Sequence, residues 1–159
     1  MTMDDRLPSA PDPWASSEMP ARRDGPPYHM TDMIEAEPAL AARLLTRLAD
    51  PAGGAARLAA AVRASAEAAQ PILVTGCGTS EHGALATVEI LREQMRTAKL
   101  PWRVGEAGTV AAVQAFEGSL EDWLGSFGGL VIGVSHEGGT WATNRALATA
   151  RASGATLAL

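Results

Sequence analysis

At 159 residues and 16.5 kDa the chain has the mass of one α/β domain, which argues against two independent catalytic domains. Hydrophobic residues make up 47% of it, charged residues 19% and aromatics 4%, so the apolar mass comes from Ala, Leu and Val in a soluble globular composition. A net charge of -5 argues against nucleic-acid and membrane-surface partners. The single cysteine, Cys77, rules out an intrachain disulfide and a multi-cysteine zinc site. No apolar run reaches membrane-spanning length, and the start Met1, Thr2, Met3, Asp4, Asp5 lacks signal-peptide order, so a cytoplasmic location is expected.

Residues 1–29 hold Pro8, Pro11, Pro13, Pro20, Pro26 and Pro27 among Ser, Asp and Arg, and read as a flexible leader. Residues 30–70 read as N-terminal helices. Thr31 or Asp32 caps a short one through Ala36, and Pro38 opens a second carrying Leu40, Leu44, Leu45 and Leu48 in one stripe. Asp50, Pro51, Gly53 and Gly54 break the chain before an Ala-rich helix with Leu58, Val62, Ala66 and Ala69 on one face.

From residue 71 to 159 strand and helix alternate. Ile72–Thr75, ending in Gly76, is a short continuous apolar run, as a strand buried on both faces requires. A helix follows from about Thr79 to Ala98, with Leu85, Val88, Leu91 and Met95 at spacings of three and four. Pro101–Val104 is a weaker strand, then short helices are expected around Val110–Phe116 and Leu120–Phe127. Leu130–Val134 is a second buried strand, followed by a helix from Thr140 to Ser153, a cap at Gly154 and a last strand from Ala155 to Leu159. This alternation predicts an α/β fold: a three-layer, doubly wound parallel sheet preceded by N-terminal helices. Because Leu159 falls inside an apolar strand, the domain is read as truncated at its C-terminal side.

Parallel sheets bind ligands beyond the carboxyl ends of their strands, which directs attention to the loops leaving the two best strands. One reads Thr75, Gly76, Cys77, Gly78, Thr79, Ser80, Glu81, His82, Gly83, and the other Val134, Ser135, His136, Glu137, Gly138, Gly139, Thr140. Glycines for tight turns, small hydroxyl side chains and a following helix N-terminus suit an anion, most simply a phosphate ester. Strand-to-helix turns also use Gly, Ser and Thr for structure alone. A dinucleotide fingerprint fails, because Glu81 stands where its third glycine belongs and Glu106 lies too far on to serve as a ribose ligand. A P-loop is excluded because the only lysine is Lys99.

The segment Ile72–Ser80 resembles the first phosphosugar loop of the sugar isomerase (SIS) domain family, especially the isomerase half of glutamine:fructose-6-phosphate aminotransferase. Leu130–Val134 with Ser135, Gly138 and Thr140 is similar to that family's second loop, usually Ser-x-Ser-Gly-x-Thr. Met33–Leu40 looks like the segment preceding the domain, so the resemblance spans about residues 31–159. It implies a flavodoxin-like topology of five parallel strands, of which this chain holds three and the start of a fourth. It also implies a sugar phosphate held by the hydroxyls of Thr79, Ser80, Ser135 and Thr140, with Cys77, Gly78 and Gly138 lining the pocket. Glu137 replaces the family's second serine and His136 a common glutamine, and contact of Glu137 with sugar hydroxyls or an amino group adds amino-sugar phosphates to the ligand class. Partnering with a second copy or a second SIS domain is implied as well.

Isomerisation through an enediol needs a base and a proton carrier, and the two loops offer Glu81, His82, His136 and Glu137. Glu137 is the first choice for the base, with His136 beside it. Structural roles compete: Glu81 favours a helix dipole, His82 packs or faces solvent, and His136 pairs only with Glu137. In the aminotransferase relatives the base comes from later sequence. Cys77 reads as a small buried residue of the pocket wall rather than a nucleophile, and Trp102, Trp123 and Trp141 as core residues rather than sugar platforms. His29, His82 and His136 lack metal-ligand spacing, so no metal and no organic cofactor are expected. The leading expectation is a sugar-phosphate or amino-sugar-phosphate isomerase or deaminase; the alternative is a non-catalytic sugar-phosphate sensor.

Overall fold

A computed structural model describes residues 24–26, 29–101, 109–120 and 128–159. Residues 1–23, 27 and 28 of the expected leader, residues 102–104 of the expected strand and 121–127 of the expected second short helix lie outside them, as do Glu106, Trp102 and Trp123. The described residues fall into two compact units, one ending at Ala60 and the other running over Ala61–Leu159.

The first unit holds α1 (His29–Leu48) and the start of α2 (Gly54–Glu67). Two helices were expected across residues 31–48, but α1 is one helix with Pro38 inside it, and Thr31 and Asp32 are helical rather than capping. A proline removes one N–H bond and crowds the preceding turn, yet Ala, Leu, Glu and Arg around it are strong helix formers, and their summed propensity carries the helix through. Leu40, Leu44, Leu45 and Leu48 are all exposed.

Within the second unit, α2 buries Val62, Ser65 and Ala66, whereas Ala69 lies past its end at φ 54 and is exposed. The strands are β1 (Ile72–Gly76), β2 (Val110–Gln114), β3 (Leu130–Val134) and β4 (Thr156–Ala158). The helices between them are α3 (Thr79–Thr97), α4 (Ala115–Leu120) and α5 (Trp141–Ala152). All pairings are parallel in the order β2-β1-β3-β4, an α/β sheet compatible with a flavodoxin-like arrangement. β1 and β3 occupy the centre, and every residue of β1 is buried, as its unbroken apolar run requires.

Val110–Gln114 was expected to be helical and is the edge strand β2. Val-Ala-Ala-Val carries no decisive period, and the open edge of β1 settles it, pairing Ile72 with Val110 through Gly76 with Gln114. The short helix α4 then starts at Ala115.

Consecutive residues of β3 show where the helices lie. A Cβ at Gly83 of α3 would meet Val134, while a Cβ at Gly133 would meet Leu147 of α5, so α3 and α5 cover opposite faces. On the α5 face Leu73, Val131, Leu147 and Ala150 form a buried cluster. Each large member stabilises the fold by about 2 kcal/mol through the apolar area it removes from water. Met95 and Val88 anchor α3, whereas Leu85, expected on the same stripe, is exposed.

Candidate functional site

β1 is joined through α3 to β2 on one side of it, and β3 is followed by β4 on the other, so the strand order reverses between β1 and β3. A crevice opens at such a switch point beyond the carboxyl ends of the strands. Gly76 and Val134 are paired in register there, so the two loops named from the sequence leave the sheet side by side.

In the first loop, Gly76 permits an approach that no other residue would. A Cβ on it would lie 2.4 Å from the Ser80 carbonyl oxygen and 3.0 Å from the Glu81 nitrogen. The loop therefore folds back directly onto the strand end. The Ser80 N–H donates to the Cys77 carbonyl at 3.2 Å and the Glu81 N–H to the Gly78 carbonyl at 3.0 Å, which starts α3. Cys77, Gly78 and Thr79 are exposed and Ser80 is half-buried. The exposed position of Cys77 corrects the expectation of a buried wall residue: the turn that brings Ser80 onto Gly76 turns residue 77 outward. His82 is exposed.

Glu81 is tied across the sheet. The Gln114 side-chain amide, at the end of β2, donates to both Glu81 carboxylate oxygens, at 3.0 and 3.1 Å. Glu81 thus braces the first loop against the neighbouring strand, a link invisible until β2 is placed.

The second loop is held by its own polar groups. The Gly138 N–H donates to the Ser135 hydroxyl oxygen at 2.9 Å, and the Asn144 side-chain amide donates to the Gly138 carbonyl at 3.0 Å. Gly138 is at φ 73, a left-handed conformation that costs a glycine little. At the tip, His136 and Glu137 are 93% and 74% exposed, with Nδ1 and Oε1 3.8 Å apart. Thr140 precedes α5 and Gly78 precedes α3, and neither supplies a side-chain cap to its helix. The N-termini of α3 and α5 thus both follow directly from the adjacent ends of β1 and β3, beside the hydroxyls of the two loops.

All the proposed ligand-binding residues, Cys77, Gly78, Thr79, Ser80, Ser135, Gly138 and Thr140, lie on these two adjacent loops, as do Glu137 and His136. Sequence reasoning missed Gln114 and Asn144, whose roles depend on strand register and on the loop's curl, and also Thr75 and Thr143. Both threonine hydroxyls are buried without a hydrogen-bond partner among the described residues. Thr75 pairs in register with Gly133 and so points to the α5 face, which Thr143 meets from the first turn of α5. An orphaned hydroxyl of this kind costs about 1–3 kcal/mol.

Trp141, expected in the core, is 62% exposed at the start of α5. Small residues fill the inner face of that helix instead, with Ala142, Thr143, Ala146 and Ala150 buried. Among the described residues no group of three or more His, Cys, Asp or Glu is placed to hold a metal ion. None of the described helices is long and apolar enough to cross a membrane. Comparison with protein-family models, curated proteins and solved structures finds no match to this chain.

Proposed function

We propose that the chain binds a sugar phosphate or amino-sugar phosphate in the crevice between β1 and β3, in the manner of an SIS domain, and acts on it as an isomerase or deaminase. The observation that carries this reading is the convergence of two hydroxyl- and glycine-rich loops, each opening a helix, at the switch point of a parallel sheet. The hydroxyls of Thr79, Ser80, Ser135 and Thr140 and the first-turn amides of α3 and α5 hold the phosphate. Cys77, Gly78 and Gly138 line the site.

In the catalytic form of this reading, Glu137 removes the proton from the carbon beside the carbonyl and returns it to the neighbouring carbon. His136 moves a proton between the two oxygens of the enediol, so isomerisation consumes no co-reactant, whereas deamination takes up one water and releases ammonia. A second copy or a second domain of the same kind completes the site. The exposure of Glu137 favours a second reading, in which the chain senses the ligand without turning it over, because a base for this chemistry is usually tuned by burial.

Thermal unfolding with fructose 6-phosphate, glucosamine 6-phosphate and their unphosphorylated sugars tests the reading. A ligand that binds the folded state raises the midpoint by mass action. A rise with the phosphorylated sugars alone is expected, and no rise with any phosphorylated sugar would refute phosphate recognition. Product formation would separate the enzyme from the sensor.

A further inference from the structure

Phe116 and Trp141 are the only Phe, Tyr or Trp residues among the described residues, and both are turned to solvent, 56% and 62% exposed. Large rings are the usual filling of a core. Here Ile72, Val74, Val131, Leu147 and buried alanines fill it, and the rings stay outside.

Their positions are not scattered. Phe116 is the second residue of α4, which starts where β2 ends, and Trp141 is the first residue of α5, next to Thr140. Gln114 and Val134 both pair with Gly76, so the strands preceding these helices end level with one another. α4 packs against α5, which places both residues in one helical layer at the carboxyl end of the sheet. That is the end where the Ser135–Thr140 loop opens.

We infer that Trp141, with Phe116 in the same layer, forms an aromatic rim for the apolar C–H face of the sugar whose phosphate the loops hold. The inference rests on the phosphosugar reading and adds a residue that selects the sugar rather than the anion. An indole face is electron-rich, so it attracts the polarised C–H groups of a sugar ring and, more strongly, a protonated amino group. The rim therefore favours amino-sugar phosphates over their hydroxyl counterparts.

The test titrates the full chain and its Trp141→Ala, Trp141→Phe and Phe116→Ala variants with glucosamine 6-phosphate, fructose 6-phosphate, glucosamine and inorganic phosphate. Calorimetry reads affinity and tryptophan fluorescence reads ring contact. Trp141→Ala is expected to weaken glucosamine 6-phosphate binding about tenfold, while inorganic phosphate changes by less than about twofold. Trp141→Phe should keep most of the affinity, Phe116→Ala should lose less than Trp141→Ala, and the fluorescence change on binding should shrink in both Trp141 variants.

Equal losses for phosphate and sugar phosphate would overturn the inference, because Trp141 would then act only through the shape of the loop. Unchanged affinities would overturn it too. So would a dimer that Trp141→Ala dissociates with sugar affinity intact, since the rim would be a contact between copies. Glucosamine binding that depends on Trp141, with no response to any phosphorylated ligand, would refute the phosphate reading and leave the rim standing. No response to any sugar would remove both.

Discussion

The two loops of the crevice are built in opposite ways. The first is held by steric fit: its backbone rests on Gly76, with no room for a methyl group, and Gln114 pins Glu81 to the next strand. The second is held by two side-chain hydrogen bonds, through Ser135 and Asn144, and carries its charged tip in solvent. A Cβ at Gly138 would meet nothing within 4 Å, whereas one at Gly76 would strike backbone. The first loop is thus fixed by close backbone contact and the second by polar bonds.

Substitution of the two glycines tests this contrast most sharply. Gly76→Ala forces the first turn of α3 off the strand, and an expected loss of about 3 kcal/mol or more should appear in denaturant unfolding, together with loss of sugar-phosphate binding. Gly138→Ala faces only the left-handed backbone and should cost about 1–2 kcal/mol. Similar losses at both positions would erase the distinction between the loops.

Smaller effects sharpen it. Ser135→Ala removes the acceptor of the Gly138 N–H, with an expected cost of about 1 kcal/mol. It should weaken sugar-phosphate binding more than neutral-sugar binding in parallel titrations. Thr143→Val replaces an orphaned hydroxyl with a methyl of the same shape and should stabilise the fold by about 1 kcal/mol, read as a higher midpoint in thermal unfolding. Glu137→Gln, on the exposed tip, should leave stability within about 0.5 kcal/mol. Turnover lost with binding retained would support Glu137 as the base, and unchanged turnover would remove it from that role.

Legibility in the sequence followed how local each signal was. β1, β3, α3 and α5 were recognisable because unbroken apolar runs, helical spacing and a closing Gly154 act over a few residues. The candidate loops were recognisable for the same reason, since each follows one of those strands directly. β2 reads as helix because its five residues carry no period of their own, and the role of Gln114 depends on placing that strand. Trp141 reads as a packing residue from sequence, yet Ala142 and Thr143 in the same turn of α5 already fill the space against the sheet.

The alternation of strand and helix after residue 71, and the glycines and hydroxyls at two strand ends, are local properties that reside in neighbouring residues. Tertiary structure alone decided that the two ends are adjacent, that Val110–Gln114 extends the sheet, and that the rings of Phe116 and Trp141 stand outside. Each of these depends on register between distant segments, where pairing to an open strand edge and the space left between sheet and helix outweigh local preference.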